Sequence, residues 1–241
     1  MDQSVTTRID TRTHAAARPD LYAAVHKGLR LFMGDTLQRL GSTDSDDPAQ
    51  LAAAIEQVRQ LLATCRQHLI HENEFVHPAI EARRPGASAL AAEDHAGHLA
   101  TIGALSDEAA SAPQGGPAAL HRLYLNLARF VAENFEHMQL EETHHNAVLW
   151  AEYDDTELLA LHEALVGSIA PEATAVFQRW MIPAVAHVER AAMFAGMRAS
   201  APAAAFDGAL AAARDLLPRG EWAKLARALE LPAASGIVER W

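Results

Sequence analysis

The chain has 241 residues, half of them apolar and 6% aromatic, with a formal net charge of −11 at pH 7. That acidity argues against nucleic acid or an anionic membrane surface as a general partner. No run of 18 apolar residues could span a bilayer, and the single cysteine, Cys65, excludes an intramolecular disulfide.

Residues 1–19 are polar and aperiodic and read as a mobile arm. They lack the apolar core of a signal peptide, so the cytoplasm is the expected compartment. From there the pattern is helical throughout, as abundant alanine and leucine favour. The interruptions carry helix breakers: "GSTDSDDP" (41–48), "RRPGAS" (83–88), "SAPQGGP" (111–117), "YDDT" (153–156) and "APAA" (201–204). A first helix over about 19–40 places Tyr22, His26, Leu29, Met33 and Leu40 on one stripe. A second, about 47–82, starts at "SDDP", where Asp precedes Pro. Its stripe runs Leu51, Ile55, Val58, Leu62, Cys65, Leu69, Glu72 and Val76, with His68 at the margin, and Pro78 is expected to kink or end it. A third, about 88–110, offers His95, His98, Leu99, Ile102 and Leu105. A fourth, about 117–149, carries Leu120, Leu123, Leu127, Phe130, His137, Glu141, His145 and Val148. Four long amphipathic helices with short connections predict an all-α, up-down-up-down four-helix bundle over 20–150. Residues 154–241 then form a C-terminal helical extension, which either packs on the bundle or offers a surface for a homodimer.

Polar residues interrupt these core-facing stripes. His26, Glu72, His137 and Glu141 fall where apolar side chains belong, and buried carboxylates without partners cost several kcal/mol each. His68 and Glu72 are four apart, as are His137 and Glu141, so each pair shares a helix face; His95 and His98, three apart, also share one. Five imidazoles and two carboxylates exceed one tetrahedral zinc and suit two metal ions bridged by carboxylates in a bundle core. Without thiolates, iron, manganese or zinc is expected. One buried His, or one HxxxE, would be unremarkable; the argument rests on all of them occurring together, each on its own helix. "HENEF" is not a zinc-protease motif, because HExxH needs His where Phe75 stands.

A His on the first helix, HxxxE on the second, His on the third and HxxxE on the fourth resembles the hemerythrin family, including bacterial HHE cation-binding domains; "HLIHENEFVHPAI" and "EHMQLEE" look like its second- and fourth-helix motifs. The resemblance covers about residues 20–150. It implies a non-haem di-iron site of the Fe–O–Fe type, with zinc or manganese as alternatives, and its ligands would be His26, His68, Glu72, His95, His98, His137 and Glu141, with Glu72 and Glu141 bridging. The chain departs from the oxygen carriers in reading HxxH on the third helix, where they have HxxxH. It also has HxxxE on the fourth, where they have an Asp one residue further on. The first departure puts a second third-helix ligand in question.

His71, on the His68 face, is read as a ligand neighbour or an alternative ligand, and His77, His144 and His145 as residues of a bundle end, a channel mouth or the surface. Glu74 and Glu142 are expected to point outwards, and Cys65 to behave as an apolar residue. Three roles follow. One is binding O2 or another small diatomic or peroxide ligand, or sensing oxygen, iron or redox state. Another is oxidoreduction of peroxide or nitric oxide with an external electron donor. The third is a structural or interaction module with zinc or no metal.

Overall fold

The computed structural model describes residues 18–231, which contain ten α-helices and no strand among the described residues. Residues 1–17, most of the expected arm, and 232–241 lie outside the described residues. Arg18 and Pro19, also assigned to the arm, are fastened down. The Arg18 guanidinium donates to Asp155 Oδ1 at 2.7 Å and to the Tyr153 carbonyl at 2.6 Å, and Trp150 Nε1 donates to the Pro19 carbonyl at 2.8 Å.

Helix α1 spans Ala23–Gly41 and α2 Pro48–His71. Asp47 starts α2 as expected, its carboxylate accepting from the Ala49 and Gln50 amides ahead of Pro48. The two helices run antiparallel, tied by His26 to His68 at one end and by Gln57 to Asp35 and Thr36 further along. After His71 the chain makes a wide π-type turn, Glu72–Val76, and resumes as α3, His77–Arg83. Pro78 therefore neither ends nor breaks the segment. It falls in the first turn after the wide one, where its missing N–H costs nothing.

Helical geometry then runs from Ala89 to Leu140 as α4, reversing at Gly116, whose φ of 66° and ψ of −165° suit glycine. The expected "SAPQGGP" loop shrinks to this one residue, with Pro117 opening the return arm. Asp94 and His95 meet His137, and Glu108 meets Asn126, so the arms form an antiparallel hairpin. A second wide turn, Glu141–His145, leads into α5, Asn146–Glu152. The bundle is thus α1, α2 and the two arms of α4, around a core that includes Phe32, Met33, Val58, Leu62, Cys65, Leu105, Leu123, Leu127 and Phe130. Burying a side chain of this size is worth about 1.5–3 kcal/mol, so these stripes hold the four helices at fixed register around the polar residues among them.

The C-terminal region comprises α6 (Asp155–Ser168), α7 (Pro171–Ala184), α8 (His187–Ser200), α9 (Ala203–Leu216) and α10 (Arg219–Ala228). It has a small core of its own around Ile182, Phe194, Ala213 and Leu225, and it docks on the bundle through α7. Trp180 stacks on Phe32 with ring centroids 4.1 Å apart, and the Met181 backbone lies against Gly28, where a β-carbon would come within 3.0 Å of Met181 Cα. No helix among the described residues is long and apolar enough to cross a membrane.

Candidate metal centre

Six of the seven residues expected from the stripes converge at one end of the bundle, all of them buried. His26 from α1 and His68 from α2 bring their Nε2 atoms to 3.1 Å of each other. On the opposite side His95 and His137, from the two arms of α4, do the same at 3.0 Å. Glu72 and Glu141 lie between the pairs, and each gives one oxygen to each side. Glu72 Oε1 is 3.1 Å from His68 Nε2 and 3.6 Å from His26 Nε2, while its Oε2 is 3.6 Å from His95 Nε2. Glu141 Oε2 is 3.5 Å from His26 Nε2; its Oε1 is 3.4 Å from His95 Nε2 and 3.3 Å from His137 Nε2. The result is two four-residue groups sharing both carboxylates: His26, His68, Glu72 and Glu141, and Glu72, His95, His137 and Glu141.

The outer nitrogens of three ligand candidates are held by groups that accept hydrogen bonds. His26 Nδ1 is 3.0 Å from Glu142 Oε1, His137 Nδ1 is 3.2 Å from Asp94 Oδ2, and His95 Nδ1 is 2.8 Å from Asn73 Oδ1. Each imidazole thus donates outwards from Nδ1 and turns Nε2 into the centre, the arrangement that orients metal-binding histidines. Two such nitrogens about 3 Å apart repel unless a proton or a metal ion lies between them. All four oxygens of Glu72 and Glu141 are buried without a hydrogen-bond partner, although buried polar atoms are otherwise almost always paired. Burial and the Glu141 charge raise the Glu72 pKa. Burial would raise that of Glu141 too, but the imidazoles of His137 and His95 hold it well below the usual range. Burial also works against a charged His26; the carboxylates of Glu142, Glu72 and Glu141 outweigh it and lift its pKa to about 9. The pocket is built to hold positive charge, and its donor set of four imidazoles and two bridging carboxylates fits two divalent ions.

Several placements differ from expectation. His98 is buried but joins neither group; its ring stands edge-on to that of His137, with centroids 5.0 Å apart. Glu142 does not point outwards: it accepts from His26 and from Arg30. His145 is buried, and its Nδ1 meets the Tyr22 hydroxyl at 2.9 Å. With Glu141 and His77 it makes a third group of candidate donors. His77 stacks on His95, with centroids 4.7 Å apart. For Glu142, His145 and His77 the cause is the pair of wide turns. Each begins at one of the two central glutamates, Glu72 or Glu141, and adds one residue to the turn, so positions downstream rotate relative to a plain 3.6-residue period. His71 bonds to Gln67 and lines a small cavity beside His68. His144 and Glu74 are exposed, and burial lifts the Cys65 thiol pKa to about 12, as expected of an apolar residue. Asp94 and Asn73 were missed; their signal was a position one residue before or after a ligand, on the side of a neighbouring helix.

A helical bundle holding buried His and Glu groups of this kind defines a class of cation-binding protein. The family model for the hemerythrin HHE cation-binding domain matches residues 19–149, and the chain belongs to that family. Comparison with curated proteins and with solved structures gave no match.

Proposed function

We propose that the centre holds two iron ions and that the protein uses them to bind O2 or a similar small ligand, or to sense oxygen, iron or redox state. The observation that carries this reading is the set of four orphaned carboxylate oxygens between two pairs of inward-facing imidazole nitrogens. A donor set of imidazole and carboxylate without thiolate supports iron or manganese. A bound iron pair would supply reversible one-electron redox chemistry and coordination positions for a diatomic ligand.

The surroundings favour a small ligand. A cavity of about 140 Å³ adjoins His68 and Glu72, lined also by Leu165 from α6, Ile169 from the α6–α7 connection, and Phe177 and Met181 from α7. That space admits a few atoms and excludes a drug-sized substrate.

The test is iron content after anaerobic reconstitution, followed by visible absorption before and after O2. Two irons per chain and an O2-dependent spectrum are expected. Glu72→Ala and Glu141→Ala should each bring the content below two. Zinc alone, no iron after reconstitution, or two tightly held irons in either variant would overturn the assignment.

A further inference from the structure

We infer that the outer seam of the α4 hairpin is a docking groove for divalent cations on their way to the centre, with His98 as the ligand on its floor. The inference rests on the metal-binding reading above. The groove encloses about 740 Å³ between the two arms, and Glu93, Asp94, Glu133 and Glu136 line it. Its one Arg or Lys, Arg129, is neutralised by Glu133 at 2.8 Å. An acidic helix seam alone is an ordinary solvated surface. His98 distinguishes this one. It lines the groove, is only 6% exposed, and its Nδ1 is buried with no hydrogen-bond partner. A buried imidazole with an unpartnered nitrogen, lining a cleft edged by carboxylates, matches a divalent cation better than any neutral ligand.

The groove also reaches the centre. Asp94 lines it and holds His137 Nδ1, and the His98 ring stands edge-on to His137, whose Nε2 faces the bridging carboxylates. The imidazole of His137, itself a ligand candidate that lines the groove, therefore separates the groove from the two central carboxylates. The side chains of Asp94 and Glu133 are 38% and 40% exposed. A single imidazole with such solvated carboxylates makes a weak, quickly exchanging site, suited to passing an ion on rather than keeping it. Carboxylates lining a cleft concentrate cations there and speed association, and salt screens the effect.

The experiment follows the uptake of ferrous iron by metal-free full-length protein under anaerobic conditions, with a chelator quench and iron content read against time. Two variants are compared with the wild type: His98→Asn, and Glu93→Gln combined with Glu133→Gln and Glu136→Gln. The carboxylate variant changes only solvated side chains and should keep its fold. Each variant should load about tenfold more slowly and reach the wild-type final content, and the carboxylate variant should lose the salt dependence of the rate. Wild-type rates in both variants would overturn the inference while leaving the metal centre standing. A lower final content in His98→Asn would also overturn it, because His98 would then be a resident ligand. A wild-type chain that takes up no iron would refute the underlying reading instead.

Discussion

Glu142 illustrates how much of the centre's chemistry lies one residue away from its candidate ligands. Its carboxylate bonds His26 Nδ1 and is itself held by Arg30, so His26 is both aimed and made a better donor. Losing such a partner costs about 10–100-fold in metal affinity in comparable sites. Glu142→Ala should weaken binding by that order at the His26–His68 position and leave the His95–His137 position close to wild type, because the outer nitrogens there rest on Asn73 and Asp94. Competition with a graded series of chelators would then show two separated release steps. A single wild-type step would mean that Glu142 does not support His26. At this scale the sequence was informative wherever a plain helical period holds. His26, His68, Glu72, His95, His137 and Glu141 all lie in or beside apolar stripes at 3.6-residue spacing. Glu142 follows a candidate ligand immediately and should face away; only the wide turn, which no local residue type announces, brings it back.

Among the elements, the join between α3 and α4 shows a cap supplied from a distance. Ser88 precedes α4 but caps nothing with its own side chain. Instead Glu81 of α3 accepts from the Gly86 amide at 2.6 Å, the Ser88 amide at 3.0 Å and the Ser88 hydroxyl at 2.7 Å. These bonds stabilise the ionised carboxylate and lower its pKa from 4.5 to about 2. A depressed folded-state pKa contributes stability that is present above the unfolded value and lost as pH falls through the folded one. The contribution of Glu81 should therefore be full above about pH 4.5 and fade towards about pH 2. Thermal melts of the metal-free protein should place Glu81→Gln below the wild type at pH 6, with the gap closing over that window. A gap independent of pH would show that the carboxylate's charge is not what fastens the loop. The sequence marked this join through "RRPGAS" but not its mechanism, because the acceptor sits seven residues before the serine it holds. The opposite happened at "SAPQGGP". Two prolines and two glycines suggested an open loop, yet one glycine at positive φ reverses the chain and the rest stays helical.

For the whole molecule the seating of residues 154–231 depends on a glycine that no periodicity singles out. Gly28 sits one turn beyond the start of α1, two residues after His26, and its missing side chain lets the α7 backbone approach. With Phe32 and Trp180 stacked one turn further on, that contact sets α7 against the helix that carries His26. The same seating places Phe177 and Met181 on the wall of the cavity beside His68 and Glu72. A larger residue at position 28 would have to displace backbone, which cannot rotate aside as a side chain does. Overpacking of this kind costs about 1–3 kcal/mol. Gly28→Leu should therefore lower the melting temperature and loosen α7, with Trp180 fluorescence shifting as its stack on Phe32 opens. Because α7 also covers the cavity, the variant should release its metal to a chelator faster than the wild type, even though no ligand has changed. Faster release together with an intact Trp180 signal would separate the centre from the docking of α7. An unchanged melting temperature and release rate would mean that α7 merely rests on the bundle, rather than closing over the centre that the bundle holds.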